Sequence, residues 1–337
     1  MQKATIILVA GLILATIFLA GCTQSPSGLA TASSNAQPHL KVGFQTQDVS
    51  TLVVIADQKG LFKEEGLDME LVDFSAGKFA LQALLANQVD FAIVGDVPIV
   101  LAAMAGNEFY VIGQPIESSN ENRVIALKDG GLNNPRDYFL AKKRKVSTFS
   151  GGTAELFTAE FMSYYGINMN QIELVYQKPE DSVAAISSKS IDAVSFFEPY
   201  PYIAEKKLGN EVMSFESPPG IYSSLYSVVA QKQLVDKNPQ AAVKFMRALI
   251  KAQKFVEENP EEAQKLVAKR SGFALDEIQV PWDRYVIKAT ITNQLILNWE
   301  KVAKWAIDTN KTKSAVVLDF NKILRKDLFN EAAGVAK

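Results

Sequence analysis

Residues able to do chemistry are few in this sequence. The 337-residue chain holds one cysteine, Cys22, and one histidine, His39. A zinc site of the Cys/His kind needs three or four such ligands, so no metal site is expected. An internal disulfide needs two cysteines. A Ser-His-Asp or Cys-His nucleophile would have to recruit His39, which closes a segment with no apolar periodicity. Gly77-Lys78 is followed by Phe79 and lacks the upstream glycine of a P-loop, and no G-x-G-x-x-G occurs, so no cofactor is expected either. What remains is a set of short polar or glycine-containing words. Gln45-Thr46-Gln47-Asp48, Ser75-Ala76-Gly77, Gly95-Asp96, Ser150-Gly151-Gly152-Thr153 and Glu198-Pro199-Tyr200 are the ones of interest. Such words hold a ligand by hydrogen bonds rather than transform it.

Each word follows an apolar run, and the runs explain why. Leu40–Gln45, Asp68–Phe74, Phe91–Val94 and Phe109–Ile116 read as strands, with helical spacing over 51–62, 77–87 and 98–105 between them. A second series follows: strands at 123–127, 145–149, 172–177 and 193–197, helices at 154–165 and 182–188. The series align with each other. Met69-Glu70-Leu71-Val72 matches Ile172-Glu173-Leu174-Val175 at an offset of 103, and Val89-Asp90 matches Ile191-Asp192 at 102. Two similar α/β units are expected, each a mostly parallel sheet flanked by helices. Asp90 and Asp192 precede strands and read as turn or cap residues. After another strand at 226–230, Asn238-Pro239 and Asn259-Pro260 begin C-terminal helices with an N-cap residue and proline at N1. Trp299 and Trp305 read as helix packing.

In open α/β sheets, ligands lie beyond the carboxyl ends of the strands, near helix N-termini. The expected ligand-binding residues are therefore Gln45, Thr46, Gln47, Asp48, Gly77, Gly95 and Asp96 from one unit. Ser150, Gly152, Thr153, Glu198 and Tyr200 come from the other. Ser150–Thr153 offers backbone N–H groups, two hydroxyls and a following helix, the best anion-binding candidate. Asp96 is expected to cap the helix after it, and Glu198 to face solvent or ligand. Asp48, Asp96 and Glu198 argue against a trap for a bare anion, with Lys78 the nearest cation in sequence. Tyr176, Tyr200, Tyr202 and Phe74 are candidates for stacking on a flat ligand, so an anion and a heterocycle both stay open.

The N-terminus carries an address. Lys3 precedes a 17-residue apolar run, Ala4–Ala20, about 26 Å long as a helix and short for a membrane span. Small residues and the only cysteine follow: Leu19-Ala20-Gly21-Cys22 resembles the lipobox of bacterial lipoproteins. The resemblance implies cleavage of residues 1–21 and acylation of Cys22, anchoring the chain at the outer face of the bacterial membrane or in the periplasm. Residues 22–39 form the expected flexible tether. Without residues 1–21 the chain carries 34 basic against 37 acidic residues, so nucleic-acid binding is not expected.

The order of several words carries a wider resemblance over 40–310. Ala56-Asp57-Gln58-Lys59-Gly60-Leu61-Phe62, Gly66-Leu67-Asp68-Met69-Glu70, Ala80-Leu81-Gln82-Ala83-Leu84, Val89-Asp90-Phe91-Ala92, Gly151-Gly152-Thr153 and Glu198-Pro199 occur in sequence. Together they resemble periplasmic substrate-binding proteins of ABC importers for nitrate, sulfonates, taurine and pyrimidine precursors. That family implies a two-lobed type II binding-protein fold, with lobe 1 at 40–118 plus 223–337 and lobe 2 at 119–222. Hinges are expected near 116–122 and 223–226, and the C-terminal helices on lobe 1. It also implies a monomer that captures a small molecule and delivers it to a permease and its ATPase, rather than an enzyme. The alternatives are a pyrimidine-precursor synthase-like enzyme, which would want a histidine at its site, and a ligand-sensing lipoprotein docked to a membrane receptor.

Overall fold

The computed structural model describes residues 39–335. The signal segment, Cys22 and nearly all of the tether lie outside the described residues. Within them, no helix is long and apolar enough to cross a membrane.

Among the described residues, eleven strands form two sheets. In chain order they are β1 (His39–Gln45), β2 (Asp68–Phe74), β3 (Phe91–Gly95), β4 (Phe109–Ser118), β5 (Asn122–Leu127), β6 (Arg144–Thr148), β7 (Ile172–Tyr176), β8 (Ala193–Phe197), β9 (Val212–Phe215), β10 (Ser224–Gln231) and β11 (Val286–Thr290). The first sheet runs β11-β4-β10-β3-β1-β2 and the second β9-β5-β8-β6-β7. Each has a parallel core, β2-β1-β3 or β7-β6-β8, bordered by an antiparallel strand, β10 or β5. The chain crosses from the first sheet to the second through 119–121 and returns through 216–223.

The repeat seen in the sequence is this shared topology. The β1–β3 pairing sets Val42 opposite Phe91, and the β6–β8 pairing sets Val146 opposite Ala193. Asp90 Oδ2 accepts from the Lys41 N–H at 2.8 Å, and Asp192 Oδ2 from the Lys145 N–H, also at 2.8 Å. Both aspartates thus close the start of a parallel pairing, where a backbone donor has no strand partner.

Helices cover the sheets because their apolar stripes need burial. Pro239–Glu258 lays Phe245 and Met246 on the first sheet, where Phe245 stacks on Phe91 at 4.3 Å and on Phe62 at 5.2 Å. Gln294–Asp308 buries Trp299, whose ring meets Phe320 edge-on at 5.8 Å. Pro260–Ser271 follows its Asn-Pro start as expected.

Several elements were not foreseen, among them the helices Pro135–Ala141 and Tyr200–Leu208 and the strands β9 and β11. The basic run 142–145 divides between solvent and core. Lys142, Lys143 and Lys145 are exposed, but Arg144 is buried, its guanidinium 3.9 Å from the Tyr138 ring centre and 2.7 Å from Asp129.

Candidate functional site

The carboxyl ends of the parallel strands face one another across the junction of the two sheets. A narrow cavity of about 20 Å³, room for a single water, lies there. It draws Gln45, Gly77 and Gly95 from the first sheet's loops and Gly152 and Thr153 from the second, with Lys78, Phe149, Phe197 and Tyr226 around them. Five expected residues thus share one space. The sheets are drawn together there: a β-carbon on Gly95 would stand 2.8 Å from Thr153 Cγ2. Lys78 Nζ reaches across to donate to the Ser150 carbonyl at 2.9 Å.

Several expected groups already have partners. Gln45 Oε1 accepts from Gly77 N–H at 2.8 Å, capping the helix Gly77–Leu85, and Gln45 Nε2 donates to Gln47 Oε1 at 3.1 Å. At Ser150–Thr153 the expectation of free backbone donors meets a correction. Gly151 N–H donates to Glu155 Oε2 at 2.7 Å, and Gly152 N–H to the Phe149 carbonyl at 3.3 Å. Glu155 also accepts from Tyr176 Oη at 2.7 Å and pairs with Lys311 at 2.5 Å. The start of the helix Thr153–Tyr164 therefore holds the protein's own carboxylate, from its first turn, where the positive end of the dipole stabilises it.

Asp96 is the first residue of its helix, with Gly95 in the N-cap position. It is fully buried and accepts from Val97 N–H at 2.8 Å, Tyr222 Oη at 2.5 Å and Asn298 Nδ2. Burial outweighs these donors and pushes its carboxyl up to about 6. Glu198 is neither solvent-facing nor unpaired. It lies buried with Arg123 Nε at 2.6 Å and the Tyr202 N–H at 3.1 Å. Burial again outweighs the cation, so its carboxyl sits above the ordinary range despite the pairing.

Asp48 is the outlier. It lies in a buried turn, Asp48–Ser50, directly beyond β1, and is pushed well up by burial, then by Glu198 and Glu121. Of the aromatic candidates, Tyr200 is buried against Phe197 and Phe273 and faces Gln47. Tyr176 is half-exposed, Tyr202 Oη donates to Asp276 at 3.0 Å, and Phe74 packs over Gly43. None of those three lines the cavity.

Sequence reasoning missed Glu121 and Arg123 at the first crossover, and Tyr222, Tyr226 and Tyr285 on the returning side. Glu121 is fully buried, accepts from Tyr226 Oη at 2.8 Å, and is pushed up to about 7 chiefly by burial. In sequence the crossover reads only as a polar connection between two apolar strands. A larger hollow of about 430 Å³ opens beside both crossovers, lined by Asn120, Glu160, Tyr222, Asn298 and Lys301 among others, and it collects none of the expected residues.

Two facing α/β sheets of matching order, crossed twice by the chain, define the two-lobed periplasmic-binding-protein fold. Solved structures agree. The alkanesulfonate-binding protein SsuA from Xanthomonas axonopodis pv. citri, bound to MOPS, superposes with a TM-score of 0.73 at 19% identity, over 86% of this chain and 99% of that one. The nitrate-binding protein NrtA from Synechocystis PCC 6803 gives 0.69 at 17% identity, over 90% of each chain. Residues 47–263 match the family model described as NMT1/THI5 like, and the chain belongs to that family. A Bacillus subtilis (strain 168) protein named for binding aliphatic sulfonates is 26% identical over 270 residues, 79% of this chain and 77% of that protein. The chain is a ligand-binding protein rather than an enzyme.

Proposed function

We propose that this chain is the lipid-anchored solute-binding component of an ABC importer, closing two lobes on a small ligand and delivering it to the permease. The observation that carries this reading is the shared cavity. Gln45, Gly77 and Gly95 from one sheet and Gly152 and Thr153 from the other line it, at the strand ends where α/β folds bind ligands. The division into lobe 1 at 40–118 plus 223–337 and lobe 2 at 119–222 is part of the proposal, with hinges at the two crossovers. So is the ligand-binding role of the expected residues, Thr46, Gln47, Asp48, Asp96, Ser150, Glu198 and Tyr200 included.

Closure can be driven only by contacts that exist in the closed state, so each lobe contributes some. The ligand belongs to the class that the relatives' names give, an aliphatic sulfonate, taurine, nitrate or a related compound. Acylation of Cys22 would hold the protein, working as a monomer, at the outer face of the membrane or in the periplasm. A thermal-shift screen tests the reading. A ligand at 100 times its Kd adds about 2.7 kcal/mol of stability, so one binder among taurine, alkanesulfonates, nitrate and aminopyrimidines should raise the melting temperature. A panel without a shift speaks against it.

A further inference from the structure

The junction between the lobes leaves several buried acceptors without a donor. Both carboxylate oxygens of Asp48 lack a hydrogen-bond partner, as do Glu121 Oε2 and Asn122 Oδ1, all of them buried. The four atoms belong to one neighbourhood: Asp48 feels the charge of Glu121, and Asn122 Nδ2 lies 3.5 Å from Glu121 Oε1. The Tyr285 hydroxyl, also buried without a partner, faces Glu121 and Asp48. Buried acceptors are rarely left unpaired.

The nearby cations are committed elsewhere. Arg123 donates to Glu198 at 2.6 Å and Ser214 at 2.9 Å, and pairs with Glu205 at 2.8 Å. Arg284 is held by Glu216 at 2.8 Å and the Asn120 carbonyl at 2.9 Å, and Lys78 by the Ser150 carbonyl. On the facing helix start, Glu155 already takes the Gly151 N–H. An anion entering here would meet like charge. Among the described residues no three His, Cys, Asp or Glu side chains are grouped to hold one metal ion.

We propose that the ligand carries a cationic group with several N–H donors, an ammonium, amidinium or protonated amino-heterocycle, seated on Asp48 with Glu121 and Asn122 taking its remaining hydrogens. This rests on the interlobe cleft being the binding site. Any sulfonate in the ligand would then be a second group, as in taurine, and not the one that Asp48 selects. A bound cation also favours the ionised carboxylates, whose protons burial and mutual repulsion otherwise retain. Binding near neutral pH should release protons.

The test is calorimetry of the full-length chain in detergent at pH 7, in two buffers of different ionisation heat. The probes are taurine, benzamidine, 4-aminopyrimidine, ethanesulfonate and nitrate, with Asp48→Asn and Glu121→Gln as variants whose melting is checked first. At least one N–H-bearing probe should bind with proton release, about tenfold or more tighter than ethanesulfonate and nitrate. Asp48→Asn should weaken it by about tenfold or more and diminish the released protons. Glu121→Gln carries the same test if Asp48→Asn fails to fold. Ethanesulfonate or nitrate binding as tightly as the N–H probes would overturn the inference and leave the cleft reading standing. So would an affinity unchanged in every folded variant. If no probe binds, both fall.

Discussion

Thr153 Cγ2 stands 2.8 Å from the point where a β-carbon on Gly95 would lie. Gly95 has φ −70° and ψ 163°, a conformation open to any residue, so its lack of a side chain serves the close approach of the lobes and not the local backbone. Gly95→Ala should therefore fold normally while hindering closure. We expect ligand affinity to fall by about tenfold, a cost of about 1.4 kcal/mol. Thr153→Ser deletes Cγ2 and should restore much of the loss in the double variant. Calorimetry on the three variants checks this, and an unchanged Kd for Gly95→Ala would show that the approach is unrelated to binding.

The Arg123–Glu198 pair should matter more when broken than when absent. Both side chains are buried, 5% and 1% exposed, with Nε 2.6 Å from Oε1. Arg123→Met leaves the buried Glu198 carboxylate with only the more distant Arg284, 3.7 Å away, as a cation and should cost up to about 3–5 kcal/mol. Arg123→Met with Glu198→Gln should cost less than Arg123→Met alone. Urea unfolding at pH 7 measures both.

Stability of the ligand-free protein should fall as pH rises from 5 to 8. Asp96 and Glu121 are pushed up to about 6 and about 7 by burial. The folded chain therefore keeps these protons when the unfolded chain has lost them. Their stabilisation is complete below the ordinary carboxylate range and is lost as pH passes through about 6 and then about 7. Each shift corresponds to about 3 kcal/mol. Around Glu121, the acids Asp96 and Asp48 reinforce proton retention, while Ser224, Tyr226 and Tyr285 oppose it from their hydroxyls, Tyr226 by donating to Oε1. Unfolding curves at pH 5 and 8 should show the drop, and Glu121→Gln should flatten its upper half. A flat or rising profile in the wild type would contradict the burial of these groups.

Membrane attachment should depend on Cys22. Cys22→Ser should abolish labelled palmitate incorporation and leave the precursor uncleaved at Gly21-Cys22. Equal labelling of wild type and variant would exclude the lipid anchor.

Much of the fold was readable because its determinants are local. Asp90 and Asp192 stand at matching places in two similar apolar-acidic words, and both cap the start of a parallel strand pairing. β2 could be read to the residue, from Asp68 to Phe74, because turn residues bound it on both sides. Asn134-Pro135 carried the same signal as Asn238-Pro239 and went unused, although Asn134 Oδ1 does cap the helix, accepting from Arg136 N–H at 2.9 Å. β11 was harder. It is an edge strand with Val286 and Lys288 turned to solvent, so no apolar alternation marks it.

The site was less readable, since its charges are paired over long separations. Arg123 and Glu198 are 75 residues apart in sequence, and Asp96 meets Tyr222 and Asn298 126 and 202 residues on. No local pattern distinguishes Glu121 in a polar crossover from a solvated loop residue; only the folded crossover buries it beneath Tyr226. The glycine-rich helix start did signal anion binding, but the anion it holds is Glu155 from its own first turn.

The central claim is that two lobes close on a small ligand at the Gly95–Thr153 approach. Small-angle scattering of the full-length chain in contrast-matched detergent, followed while calorimetry measures binding across the ligand panel, tests it most directly. The account predicts one ligand per chain, a smaller radius of gyration on binding, and loss of both effects in Gly95→Val. No binding across the panel, or binding that Gly95→Val leaves unchanged in affinity and shape, would contradict it.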